Sequence, residues 1–370
     1  MRHRIVDLSP GDASLPPERG VDLILLFADR RSGPQVAEAR LRERFPGAVI
    51  VGASTAGEIS GARVGEGGIV VAALSLERGK VRRAEVALDL GDEVAGFTLA
   101  RELAAPGLRG VLVLCDGEKV NGSALVRGLE RGLGPGVVMG GGLAGDGDRF
   151  GETWTLDADG VPRRGRVTAV GFYGERMDVR VGTQGGWNEF GPERRITRAE
   201  RNTLYELDGR PALELYKRYL GERAAGLPAA AMHFPLQVRA DEGSLPVVRT
   251  ILQLDEATQS LTFAGEVPEG GLAKLMRANP ERLIDGAAGA APSLSADQPA
   301  FATLISCVGR RLALGARTEE EVEAVLANLP SGSTQVGFYS YGEIGPSGIA
   351  CGDRSALHNQ SMTVFTLQER

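Results

Sequence analysis

Residues 50–59 read IVGASTAGEI, residues 138–147 read VMGGGLAGDG and residues 335–344 read QVGFYSYGEI. Each copy runs apolar residue, glycine, four residues, glycine, acid, which gives Gly52/Gly57/Glu58, Gly140/Gly145/Asp146 and Gly337/Gly342/Glu343. The upstream sequence recurs as well: an apolar strand, a helix-like stretch and a short strand that ends at the first glycine. VDLILLFADRR (21–31) aligns with FATLISCVGRR (301–311) on a double arginine, and RGVLVLCDGEKVNG (109–122) is a looser middle member. The pattern predicts a repeated β-α-β-loop unit whose post-strand loops build one site. Glycine turns expose backbone N–H groups without an obstructing Cβ, and ligands of open α/β sheets collect just beyond strand ends.

Working outward, the spacing predicts a helix over 34–45 with Ala37, Leu41 and Phe45 on one face, and a strand at 48–52. Residues 67–77 and 80–90 look like strands paired around Arg78-Gly79. A second helix carries Leu125, Leu129 and Leu133, and 150–185 is strand-rich. The stretch 186–203 is polar and Arg-rich and reads as a linker in which domain movement could occur. Beyond it come a helix behind Pro211, strands at 233–238, 246–255 and 260–267, a helical 271–291 and a helix with Thr318 as N-cap. The expected fold is α/β: two packed α/β domains with mixed sheets, 1–190 and 204–370, joined by a linker at about 190–203 and related by an internal β-α-β pseudo-repeat.

The chain of 370 residues exceeds what one core usually supports. Its net charge of −6 argues against a nucleic-acid or anionic membrane surface. No apolar run reaches membrane-helix length and no signal peptide is evident at the start, so a cytoplasmic location is expected. Cys115, Cys307 and Cys351 write no disulfide framework; the first two are expected in the core and the last in an exposed polar loop. His3, His233 and His358 are scattered, which disfavours zinc but leaves haem, needing a single axial ligand, open at His358. Gly140, Gly142 and Gly145 satisfy G-x-G-x-x-G, yet DGDRFGETWTL continues as turn and strand, so no helix N-terminus follows to hold a pyrophosphate. No G-x-S-x-G nucleophile elbow occurs either.

What remains is a recognition set: Gly52, Ser54, Thr55, Glu58, Gly141, Gly142, Asp146, Trp187, Tyr205, Arg310, Tyr339, Tyr341, Glu343, His358 and Asn359. Carboxylates suit an ammonium and an arginine fork suits a carboxylate. Arg311 joins Arg310 as a candidate for that second role, so a zwitterion such as an amino acid would be met at both ends. An enzyme built on paired Glu58 and Glu343 is the rival reading.

VGASTAGEISG, GGGLAGDGDRFGETW, NTLYELDGRPALELYKRYLG, FPLQVRADE, GEVPEGG, CVGRRLALG, GFYSYGEIGP and LHNQSMTVFTL, in this order, resemble the FIST sensory family, as its N-terminal and C-terminal parts in a stand-alone bacterial-type member. The resemblance implies a non-catalytic module that senses a small molecule such as an amino acid and signals through a partner such as a histidine kinase. Some members resemble haem-based nitric oxide sensors, which is the second ligand reading for His358.

Overall fold

A computed structural model of the chain describes residues 1–7, 20–118, 120–147, 149, 151–348 and 354–370. The strand Leu23–Ala28 is buried along its whole length. Leu23, Leu25 and Phe27 enter one hydrophobic cluster, and Ile24, Leu26 and Ala28 enter another. An apolar run with both faces covered is what an internal strand of a layered α/β sheet requires. This strand pairs in parallel with Val49–Ser54, setting Leu26 opposite Gly52. Helix Pro34–Arg44 connects the two and buries Ala37 and Leu41.

The unit returns twice. Leu108–Cys115 pairs in parallel with Val138–Leu143, with Leu112 opposite Gly140. Phe301–Cys307 pairs with Thr334–Ser340, with Leu304 opposite Gly337. A Cβ on Gly52 would stand 2.5 Å from the Leu26 carbonyl oxygen, and one on Gly337 would stand 1.9 Å from that of Leu304. Gly52 and Gly337 therefore share one backbone context. The double arginines do not. Arg30 and Arg31 follow their strand in a turn, whereas Arg310 and Arg311 lie in helix Val308–Leu314.

Three six-stranded sheets share one layout: edge strand, antiparallel strand, parallel pair, and a hairpin lent by another repeat. In the first sheet these are Arg2–Asp7, Ile69–Ser75, Leu23–Ala28 and Val49–Ser54, and the lent strand is Thr155–Leu156 from beyond the second acid loop. In the second they are Lys80–Ala87, Arg166–Tyr173, Leu108–Cys115 and Val138–Leu143, with Gly342–Pro346 lent by the third repeat. In the third they are Met177–Gln184, Met362–Glu369, Phe301–Cys307 and Thr334–Ser340, with Glu58–Ser60 lent by the first. The loans run in a closed cycle, so the repeats form a ring with a pseudo-threefold axis. Phe27, Leu112, Phe172, Ile305, Phe338 and Phe365 share the central core, and Phe27 stacks on Phe338 with ring centroids 4.8 Å apart.

The α/β class, the mixed sheets and the β-α-β repeat match the sequence reading, with the repeat present three times. The polar stretch at 190–203 is not a linker. Arg194–Glu200 is a strand that pairs with Thr203–Leu207 and with Leu272–Arg277 in a nine-stranded sheet. Its Ile196 is fully buried while Arg195, Thr197 and Arg198 are exposed, so one-sided burial produced a linker-like composition. This sheet, with helix Ala212–Leu220, is inserted between the third repeat's edge strand and its first parallel strand.

Three local readings also change. Leu272–Arg277 is a strand, and the helix starts only at Pro280. Ile69–Ser75 and Lys80–Ala87 lie in different sheets, and the crossing between them is held by Glu369, which accepts from the amides of Glu77, Arg78 and Gly79 at 2.9, 3.0 and 2.7 Å. Thr318 donates back to the Gly315 carbonyl at 2.6 Å instead of capping its helix.

Candidate functional site

The three acid loops meet on the pseudo-axis. Ala56 N donates to Tyr339 O at 2.8 Å, Gly145 N to Ser54 O at 3.0 Å and Tyr341 N to Leu143 O at 3.2 Å. Around this hub the acids occupy separate networks. Glu58 accepts from Thr55 Oγ1 and, at 3.2 Å, from Gly68 N. Glu343 accepts from Ser340 Oγ at 2.6 Å and from Ser361 Oγ and N at 2.9 and 3.1 Å. In both, a hydroxyl three residues upstream and an amide just before the antiparallel strand hold the carboxyl. Burial raises both carboxyls to about 7. At Glu58 the charge of Asp29 adds to the rise, while the two hydrogen bonds and Arg311 oppose it.

Asp146 behaves differently. Burial works against its charge, but donation from Tyr341 Oη and from the amides of Glu152 and Gly151 holds it below the usual carboxylate range. In this repeat the amide before the antiparallel strand, Gly165 N, bonds Asp116 instead, which also accepts from Thr153 Oγ1 at 2.5 Å.

A cleft of about 540 Å³ opens where the first loop faces the helix of the third repeat. Thr55, Ala56, Gly57 and Glu58 come from the first repeat, Arg149 from the second, and Val308, Arg311 and Glu319 from the third. Arg149 pairs with Asp29 at 2.9 Å. Arg311 donates to the Ala56 carbonyl at 2.5 Å, pairs with Glu66, and sits 5.6 Å from the Tyr339 ring centroid. Gly57, at φ 133°, admits it: a Cβ there would stand 2.6 Å from Arg311 Nη1. Two arginines beside Asp29, Glu58, Glu66 and Glu319 offer partners to both ends of a small zwitterion.

Of the residues singled out in the sequence, Thr55, Glu58 and Arg311 line this cleft. Gly52, Gly141 and Gly142 are packing positions; Cβ atoms on the last two would stand 1.9 Å from Val113 O and 2.5 Å from Ile305 Cγ2. Ser54 Oγ accepts from Trp154 N at 3.0 Å and so fastens the lent hairpin. Arg310 is fully buried, paired with Glu321 at 2.8 Å and donating to the carbonyls of Leu283 and Gly185. Tyr339 Oη donates to the same Glu321 at 2.8 Å, and Tyr341 Oη serves Asp146. Trp187 Nε1 donates to Gln360 O at 2.7 Å. Tyr205 lies in the inserted sheet under Arg198, 4.5 Å from its ring centroid.

Glu343 and Asn359 are buried and do not line the cleft that Glu58 lines. His358 is buried with Nε2 3.2 Å from Gly345 O. Burial and the nearby Arg249 charge lower it to about 4. Asp29, Glu66, Arg149 and Glu319 escaped the sequence reading because each lies outside the repeated phrase. Cys115 and Cys307 are buried in the core, and Cys351 lies outside the described residues. Among the described residues no group of three or more His, Cys, Asp or Glu side chains is placed to hold a metal ion. No helix among them is long and apolar enough to cross a membrane.

Comparison with known proteins places two family models on the chain: the FIST N domain on residues 22–210 and the FIST C domain on residues 212–346. No curated protein matches the sequence. Among solved structures, a crystal structure of chorismatase aligns over 99% of this chain and 98% of that chain, at 12% identity and a TM-score of 0.34. A likeness at that level carries no argument about activity.

Proposed function

Because the chain belongs to the FIST family, whose domains are sensory domains in signal transduction, we propose that it is a non-catalytic sensor of a small polar metabolite such as an amino acid, held in the Glu58 cleft and reported to a partner protein such as a histidine kinase. One observation carries this reading: the cleft draws Thr55, Glu58 and Arg149 from the FIST N part and Arg311 and Glu319 from the FIST C part. A ligand bound there contacts both parts at once, and it biases their arrangement by the difference in its affinity for the two states. A ligand carboxylate takes the place of Glu66 on Arg311 and of Asp29 on Arg149, and Asp29, so released, joins Glu58 in receiving an ammonium.

Thermal-shift screening of the full chain against amino acids and related metabolites tests the proposal. The expected hit raises the melting temperature by mass action and loses its effect in Arg311→Ala. A panel without stabilisation, or hits indifferent to both Arg311→Ala and Glu58→Gln, would sink it. An acid–base enzyme is the second reading, favoured by the rise of Glu58 to about 7 in an open cleft. Turnover of the bound metabolite, lost in Glu58→Gln, would decide for it.

A further inference from the structure

A second cleft, of about 510 Å³, lies between the inserted sheet and the second and third repeats. Its lining holds four arginines, Arg127, Arg201, Arg239 and Arg249, against Glu266 and Glu269, in a chain whose net charge is −6. Two of the arginines are spoken for. Arg127 pairs with Glu266 at 2.7 Å, and Arg239 pairs with Glu193 at 2.7 Å.

Arg249 is different. It is only 5% exposed, and its hydrogen bonds run to the main-chain carbonyls of Glu266 at 3.1 Å and Leu357 at 2.9 Å. Burial lowers its pKa to about 10, which leaves it ionised at neutral pH. A buried cation met by two carbonyl dipoles and, among the described residues, no salt bridge, with only the nearby charge of Glu266 to offset its burial, is incompletely compensated. Beside it, Ser123 lines the same cleft from the first turn of helix Gly122–Gly132. Its Oγ is buried and, among the described residues, has no partner; such hydroxyls in folded proteins are normally bonded. The positive end of that helix adds to the attraction for an anion. Val126, Val238 and Leu357 supply an apolar wall next to these donors.

We propose that this cleft is a second ligand site, distinct from the Glu58 cleft, that takes a small anion through a carboxylate or phosphoryl group bound by Arg249, Arg201 and Ser123. Arg249 supplies the desolvated charge and Ser123 the neutral donor. Arg201, exposed at the mouth with φ 53°, closes over the anion from the insertion. The apolar wall accommodates the remainder of an organic anion.

The test is calorimetric titration of the full chain at constant ionic strength with inorganic phosphate and, separately, with propionate. At least one probe is expected to bind saturably, and the tighter one identifies the head group. Ser123→Ala and Arg201→Ala should each keep the unliganded melting temperature and weaken binding by roughly 3- to 30-fold, as loss of one neutral or charged hydrogen bond does. Arg249→Lys, which keeps the charge but loses the planar fork, should weaken it further. Absence of binding by both probes overturns the proposal. So does wild-type affinity in both Ser123→Ala and Arg201→Ala, or a response that follows ionic strength and not the identity of the anion.

Discussion

The amide of Ala56 donates to the carbonyl of Tyr339 at 2.8 Å. With Gly145 on Ser54 and Tyr341 on Leu143, this bond closes a cycle in which each repeat's loop is tied to another repeat's second strand. No single repeat can therefore form the Glu58 cleft, and a disturbance at the hub reaches all three interfaces. Gly145 is packed against two of the partner loops. A Cβ there would stand 2.9 Å from both Ala56 Cβ and Ala56 N and 3.1 Å from Tyr339 O.

Gly145→Ala is accordingly expected to lower stability by about 1–3 kcal/mol, the usual cost of overpacking. Gly134→Ala is the control, since nothing lies within 4 Å of its would-be Cβ. Urea midpoints of the two variants check this. Equal midpoints would mean that the axis is not the packed hub described.

Arg310 and Glu321 are both fully buried and bonded to each other, and Tyr339 and Ser306 also donate to Glu321. Arg310→Met should cost about 3–5 kcal/mol, because it strands a buried carboxylate. Arg310→Met combined with Glu321→Leu should recover a large part of that loss. Denaturation of the single and double variants gives the answer, and a single variant as stable as wild type would return Arg310 to consideration as a ligand-facing group.

Glu343 titrates at about 7 in the folded protein, against 4.5 ordinarily. The folded state thus holds this proton to higher pH than the unfolded chain does. Its contribution to stability is full below about 4.5 and is lost as pH rises through 7. Glu343→Gln should gain on wild type by about 1–3 kcal/mol between pH 5 and pH 8. Denaturation at the two pH values reads this directly; a pH-independent difference would show that the carboxyl is not raised.

Much of this architecture was legible in the sequence because it rests on local pattern. Leu23–Ala28 is apolar at every position, and Gly52 and Gly337 mark two equivalent places where a strand passes hard against a neighbouring carbonyl. The exchange of hairpins was not legible. Thr155–Leu156 carries nothing that says whether its partner is Ala53 or a strand of its own repeat. The site was half visible for the same reason. Thr55 and Glu58 stand inside the repeated phrase, whereas Asp29 follows the first strand of the same repeat, outside the phrase, and Arg149 reaches the cleft only through the ring closure. Arg310 and Arg311 are neighbours in sequence and in one helix, yet one is sealed against Glu321 and the other opens onto the cleft. In the seven-residue helix VGRRLAL the apolar positions do not define one face that would tell the two apart.

The sharpest expectation concerns proton linkage in the Glu58 cleft. Burial brings Glu58 to about 7, so near pH 6 it is mostly a neutral acid and near pH 8 mostly a carboxylate. An amino-acid ligand whose ammonium meets Glu58 requires the ionised form, and binding must then expel the proton that the free protein carries. Affinity should rise by about tenfold from pH 6 to pH 8 through this group alone. Calorimetry at pH 6.5 in buffers of different ionisation enthalpy should register release of up to about one proton. Glu58→Gln should abolish both the pH dependence and the proton release, while Arg311→Lys should weaken binding without altering either. If a ligand carboxylate faces Glu58 instead, the protonated acid becomes the donor and affinity falls with rising pH. A confirmed cleft ligand whose affinity stays level from pH 6 to pH 8 would remove Glu58 from the binding site.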